Sequence, residues 1–358
     1  MRWRRALGNL LTVAASTLFA LALLEIVLRF MPVATAPPLV PPSAGDPIQR
    51  YAPNAHFTWS LGWDFYAVVH GRTNAQGFVA DYDYDRTATT PLVAVIGDSF
   101  VEALQVPFAE SVTGRLQAAL GTAGRAYAFA QAGSALSQYI AYIEHAAAVY
   151  RPQKFVVVVV ENDVDESMYG RRKRDGIHHL YLQANGELEL KLTPPLGRNA
   201  VEDALRQSAL ALYLLRNVGV LQFVQQHGPI PVPDPARLVE GEQVIAWFLT
   251  ALPKAARLPP RDIVIVVDAN RSEIYGNAVP ANLADLQHYF GQMRAKLLAE
   301  ARTQGFNVVD MEPAFRAAYA RDRVPFESRT DRHWNSYGHA VVAEAVRNAL
   351  GTWSPFDR

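Results

Sequence analysis

The chain has 358 residues, half of them hydrophobic, and its 34 Lys+Arg are balanced by 34 Asp+Glu. That length suits one large domain with decorations, and the balance gives no electrostatic footprint for nucleic acid or a strongly acidic partner. The sequence contains no cysteine, which excludes thiolate chemistry, disulfides and Cys-ligated zinc.

Arg2, Arg4 and Arg5 precede an almost uncharged run from Ala6 to Leu28. About 20 apolar residues cross a bilayer, so residues 6–30 read as one transmembrane signal-anchor. Asn9 and Glu25 fall near its two ends, where water or headgroups solvate them. Arginines stay on the cytoplasmic side. Residues 1–5 are therefore a cytoplasmic tail, and everything after Pro32 is expected in the periplasm or outside, held to the inner membrane by a single pass. Ala34-Thr35-Ala36 has the small-x-small look of a signal-peptide cleavage site. The long apolar core, and Pro37 straight after that site, favour an uncleaved anchor.

Residues 31–50 hold two Pro-Pro pairs and read as an extended linker. Residues 51–90, rich in Trp, Phe, Tyr and Val with Gly and Asn punctuation, predict a small lead-in of short strands. Within it "RTNAQGF", Arg72 to Phe78, is a turn.

From residue 91 onward the pattern changes. Continuous apolar runs at Leu92–Ile96, Ala126–Ala130, Phe155–Val160 and Ile263–Val267 predict strands covered on both faces, with a weaker one at Asn307–Val309. Helical patterns alternate with them at Ser111–Leu120, Ala135–Tyr150, Leu283–Gln304 and Ser336–Leu350. This alternation predicts an α/β fold, a three-layer α/β/α sandwich around a parallel sheet, filling residues 91–358. An insertion at 165–260 interrupts it. The insertion carries "RRKRD", a hairpin around Asn185-Gly186, and helices expected at Ala200–Gln226 and Gly241–Ala256. Such an insertion is expected to form a lid or substrate wall.

Open parallel sheets bind ligands outside the carboxyl ends of their strands, and four segments put polar groups there. Ser99 follows the first strand in "VAVIGDSF", and Gly133 follows the second. Asn162 follows "FVVVVVE", and Asp331 and His333 precede the last helix. A serine hydroxyl is a weak nucleophile and needs a base within hydrogen-bond reach. His333 would take its proton, and Asp331 would fix the imidazole tautomer. The backbone N–H groups of Ser99 and Gly133 and the Asn162 amide would receive a developing oxyanion. A residue without Cβ at 133 lets its backbone approach closely.

Other polar residues have plainer readings. Asp98 is scaffolding beside a helix start, Trp334 packs under the site, and Asn335 is a cap. His178 and His179 would point to opposite faces of a strand and so cannot chelate one ion; they read as loop histidines, and no metal is expected. Arg171–Arg174 reads as a solvated face, with anionic lipid or an acidic glycan as the alternative partner.

"GDSF" at Gly97–Phe100, Gly133, "ND" at Asn162-Asp163 and "DRHWN" at Asp331–Asn335 resemble the four blocks of the SGNH (GDSL-type) hydrolase family, in order, from about Leu92 to Leu350. The resemblance puts the nucleophile on Ser99, the base on His333, and the oxyanion-hole residues on Gly133 and Asn162. "RTNAQGF" and "HWNxxGH" resemble membrane-anchored envelope members, some of which add or remove acetyl groups on polysaccharides. Three positions depart from the pattern. Val160 and Ala128 stand where the family often has Gly and Asn, and Asp331 lies two rather than three residues before His333. That Asp-x-His spacing resembles the alginate O-acetylation proteins. The resemblance implies a flavodoxin-like fold and a cofactor-free serine esterase acting on a small-molecule or glycan ester. The alternatives are an O-acetyltransferase on an exopolysaccharide or cell-wall glycan, and a non-catalytic glycan- or partner-binding envelope protein.

Overall fold

The structure is a computed structural model that describes residues 2–43, 45–197, 200–220, 235–276, 284–329 and 331–351. The chain divides into two compact units. The smaller comprises Met1–Ala36, Phe57–His70 and Gly197–Pro229; the larger comprises Pro37–His56, Gly71–Leu196 and Ile230–Arg358.

In chain order the strands are β1 (Leu39–Val40), β2 (Arg50–Tyr51), β3 (His56–Leu61), β4 (Ala67–Arg72), β5 (Leu92–Gly97), β6 (Arg125–Ala130), β7 (Lys154–Val159), β8 (His178–Leu182), β9 (Leu188–Leu192), β10 (Ile263–Val267) and β11 (Asn307–Asp310). The helices are α1 (Arg2–Leu28), α2 (Ser99–Glu102), α3 (Val112–Leu120), α4 (Leu136–Val149), α5 (Asp163–Glu166), α6 (Ala200–Gln207), α7 (Ala209–Leu212), α8 (Pro235–Ala256), α9 (Arg271–Tyr275), α10 (Ala284–Thr303), α11 (Met311–Asp322) and α12 (Ser336–Leu350).

The larger unit is built on a five-stranded sheet in the order β11-β10-β7-β5-β6. Every pairing in it is parallel. Successive side chains of a strand face opposite ways, so these all-apolar strands feed two cores. Leu92, Ala94 and Ile96 of β5 join residues of α4, α8 and α10 on one face. Val93 and Val95 join residues of α3, α11 and α12 on the other. The predicted three-layer sandwich is the observed one. From β5 the chain steps to β6 on one side, then to β7 on the other. The reversal opens a crevice at the carboxyl ends of β5 and β7, where doubly wound sheets bind ligands.

β6 is an edge strand, and unpaired edges invite aggregation. The lead-in covers it. The Tyr84 hydroxyl donates to the Ala128 carbonyl at 2.8 Å and accepts from the Ala128 amide at 3.0 Å. The Tyr84 and Tyr127 rings stack 4.1 Å apart. Tyr82 donates to the Ala126 carbonyl.

Within the smaller unit, the Ala34 amide donates to Asn217 Oδ1 at 3.0 Å, and Asn217 Nδ2 donates to Ser60 Oγ at 2.8 Å. The segment 165–260 is thus divided between the units, with Gly197–Pro229 in the smaller. α1 is long and apolar enough to cross a membrane and is exposed along most of its length, with Glu25 half-buried and Leu28 buried near its end.

Two expectations are corrected. His178 and His179 lie on β8, not in a loop, and His179 is wholly buried, with Nδ1 2.8 Å from Thr193 Oγ1. Arg171–Arg174 is solvated only at Arg172 and Lys173. Arg171 pairs with Glu240 at 2.7 Å, and Arg174 donates to the Ala132 carbonyl. Burying a guanidinium requires such partners. The sequence reading also assigned no helix to 311–322, although Met311, Phe315 and Ala318 mark one buried face of α11. Of the helix expected at 200–226, residues 221–226 lie outside the described residues; the rest is α6, α7 and a π-helical stretch, Tyr213–Asn217.

Candidate active site

β5 ends at Gly97, where the Val101 side chain lies so close that a Cβ would collide with it. Glycine there lets the chain turn directly from strand into α2. Asp98 caps α2, its Oδ1 accepting from the Phe100 amide at 2.9 Å. The carboxyl is buried, and that burial pushes its pKa upward.

The turn presents Ser99, whose Oγ lies 2.7 Å from His333 Nε2. Asp98 Oδ2 is 3.4 Å from the same hydroxyl, too distant to compete for its single proton. His333 Nδ1 is 2.5 Å from Asp331 Oδ1, which also accepts the His333 backbone amide at 3.2 Å. The Asp-x-His spacing therefore lets one carboxylate oxygen hold both ring and backbone of the histidine. Burial acts to lower the imidazole pKa, but the hydrogen bond and charge of Asp331 outweigh it and hold His333 above its ordinary value.

The loop carrying these residues is pinned from below. Trp334 is fully buried, packs edge-on against Phe100 at 5.0 Å, and donates its indole N–H to Asp268 Oδ1 at 3.3 Å. Asn335 caps α12, accepting from the Gly338 amide at 2.9 Å. Arg271, just beyond β10, pairs with Asp268 and with Glu327 at 3.0 Å, and donates to the Arg332 carbonyl at 2.6 Å. Sequence reasoning missed Arg271. The signal was an arginine closely following the carboxyl end of a buried strand.

Gly133 and Asn162 follow β6 and β7, the two sheet neighbours of β5. They flank the serine rather than join its hydrogen-bond chain. Gly133 has φ +73°, and a Cβ there would collide with the Arg174 guanidinium. Asn162 stands at the start of α5, half-buried. Its neighbour Asp163 is fully buried. Asp163 accepts from the Val160 amide at 2.8 Å, and the Tyr139 hydroxyl reaches both its oxygens at 3.1 Å. Val160, where the family pattern has glycine, is thus held by its backbone. Behind the serine, burial pushes the Glu102 carboxyl up to about 7, and Tyr51 donates to it at 2.5 Å.

A cavity of about 210 Å³ opens where β7 and β10 end against α10, lined by Val159, Glu161, Val267, Asn270, Phe290 and Arg294 among others. Glu161 on its wall pairs with Arg332, the residue before His333, at 2.9 Å.

The parallel sheet with polar groups at its strand ends is an α/β/α architecture, and part of the chain is similar to an SGNH hydrolase-like domain. The family model described as ALGX, SGNH hydrolase-like domain, acetyltransferase AlgX, matches residues 255–356. That stretch holds β10, β11 and the Asp331–His333 loop, and excludes Ser99, Gly133 and Asn162. Among solved structures, the chain is similar to LAE5, an alpha/beta hydrolase enzyme from the metagenome of Lake Arreo, Spain, at 15% identity, covering 74% of this chain and 97% of that one with TM-score 0.43. It is also similar to a catalytic mutant of Axe2, an acetylxylan esterase from Geobacillus stearothermophilus, at 13% identity, 75% and 97% coverage and TM-score 0.41. A member of the lipolytic G-D-S-L family from Veillonella parvula aligns at 12% identity, 74% and 99% coverage and TM-score 0.39. No curated protein matches the chain.

Proposed function

We propose that this protein is a serine-dependent acyl-transfer enzyme, with Ser99 as nucleophile, His333 as general base and acid, and Asp331 as the group that orients it. The observation that carries the reading is the hydrogen-bond chain Ser99 Oγ to His333 Nε2 at 2.7 Å and His333 Nδ1 to Asp331 at 2.5 Å. His333 removes the Ser99 proton as Oγ attacks an ester carbonyl, and Asp331 stabilises the imidazolium. The oxyanion is received by the backbone N–H groups of Ser99 and Gly133 and by the Asn162 side chain. Collapse expels the alcohol, protonated by His333, and leaves an acyl-serine.

Water, activated by the same histidine, then releases a carboxylic acid. The leading substrate is an acetylated glycan, with the enzyme held by α1 in the inner membrane and its catalytic domain on the far side. The acetyltransferase description of the matching family model favours a second reading, in which a sugar hydroxyl takes the acyl group instead of water.

A fluorophosphonate probe tests the first claim. Wild-type protein is expected to label and Ser99→Ala is not; a folded wild type that stays unlabelled leaves a non-catalytic, glycan-binding role. Acetate release with and without oligosaccharide acceptors separates the two enzymatic readings, since acceptor that suppresses hydrolysis by capturing acetyl identifies a transferase.

A further inference from the structure

Glu25 is the one carboxylate in the apolar helix α1. It lies three residues before the helix end at Leu28, about 4–5 Å along the axis. A charge at that depth needs partners, and it finds them far along the chain. Glu25 Oε2 accepts from Ser208 Oγ at 2.8 Å and from the Leu210 amide at 2.9 Å, and Oε1 accepts from the Ala209 amide at 3.1 Å. Arg29 donates to Oε1 at 2.9 Å. The carboxylate thereby satisfies orphan N–H groups at the start of α7. A residue of the apolar segment is thus built into the fold of the smaller unit.

This junction also fixes where residues 200–220 sit relative to the end of the span. Their outward face is apolar where a soluble surface would be polar. Val201 and Leu205, one turn apart on α6, are 68% and 44% exposed, while Glu202, Asp203 and Arg206 occupy the rest of that helix. Leu214 and Val218 are exposed further along. The β3–β4 turn adds Trp63, 72% exposed, whose carbonyl accepts from the Tyr213 hydroxyl at 2.8 Å. Phe30, 84% exposed, stands just past α1. Short apolar stripes opposite charges, with Trp and Tyr beside them, are the chemistry of the bilayer interface.

We propose that α6, the stretch through Val220 and the Trp63 turn form an interfacial pad that lies in the headgroup layer of the membrane crossed by α1, locked to the end of the span by Glu25. The proposal rests on α1 being a retained anchor, and the continuity of the pad with that anchor selects lipid as its occupant. The pad would hold the smaller unit in one orientation at the surface, which a bare linker after a single helix would not.

The absence of native cysteine makes every introduced thiol unique. Full-length Leu205→Cys, Trp63→Cys, Arg206→Cys and Leu11→Cys proteins, each labelled with bimane and reconstituted in phosphatidylethanolamine/phosphatidylglycerol vesicles, would be quenched by doxyl-lipids or by aqueous iodide. Labels at 205 and 63 are expected to be quenched at least twofold more by shallow doxyl-lipid than the label at 206, with iodide giving the reverse order. Iodide quenching of 205 and 63 equal to that of 206, with 11 quenched by deep doxyl-lipid, overturns the pad and leaves the anchor standing. Shielding of 205 from both quenchers assigns the face to a second copy of the chain and overturns lipid as occupant. Absence of lipid quenching at 11 overturns the anchor itself, and the pad with it.

Discussion

In the larger unit every residue of β5 is buried, and each side chain of that strand faces one of two cores. In the smaller unit, Trp63, Phe30, Val201 and Leu205 face outward, and an almost wholly apolar helix is exposed along most of its length. The contrast extends to polar groups. The larger unit buries Asp98, Glu102 and Asp163 close to the serine. The smaller unit places Glu25 in an apolar helix and answers it with a hydroxyl and two backbone amides. On the proposed function, the buried carboxylates of the larger unit shape a reaction centre, while in the smaller a single carboxylate joins a helix to residues 208–210. Sequestered charge is costly in either setting, so in each case it marks where the structure has a task beyond folding.

If that division holds, substitutions in the larger unit should move chemistry, and those in the smaller should move stability and placement. The largest effect is expected from Ser99→Ala, which should lower p-nitrophenyl acetate turnover by more than about ten-thousand-fold with an unchanged circular dichroism spectrum. Retained turnover would break the comparison at its centre. Asp331→Asn should cost about a hundred- to ten-thousand-fold.

The same variant should also move the pH profile. Because the folded His333 holds its proton above the ordinary 6.5, the acid limb of kcat/KM in wild type should lie above that pH and fall toward or below it in the variant. Asn162→Ala should lower kcat by about a hundred- to thousand-fold, the usual cost of one oxyanion donor.

Smaller again is the effect of Glu102→Gln. The folded carboxyl titrates at about 7 and the unfolded one near 4.5. Its stabilising contribution is thus complete below 4.5 and is lost as pH rises through 7. The Tm of wild type should fall relative to the variant across that window, and parallel curves would refute the assignment. In the smaller unit, Ser208→Ala removes a cap and should cost about 1 kcal/mol, visible as faster proteolysis within 200–220 with turnover unaltered.

Much of this was legible in the sequence because the larger unit obeys local rules. Continuous apolar runs gave the strands to within a residue or two, since a strand covered on both faces has no polar alternation to obscure it. Ser99, His333 and Asp331, which the structure brings into one hydrogen-bond chain, could be singled out because each sits at the boundary of a strong periodic segment. Arg271 was missed because nothing in "DANRSE" shows that a guanidinium there reaches Glu327 and the Arg332 carbonyl, contacts made only once β10 and the final loop pack together. Arg171 and Arg174 were misread for the same reason, as a charge run does not disclose its distant partners. The tie between Glu25 and Ser208 spans 183 residues and has no local signature at all.

Ser99 and His333 are separated by 234 positions. A contact between residues so far apart in sequence carries a loop-closure entropy cost. A growing chain that has passed Ser99 but not His333 carries the hydroxyl without the imidazole that contacts it in the fold. On the proposed function, acyl chemistry therefore waits for the segment that carries Asp331 and His333.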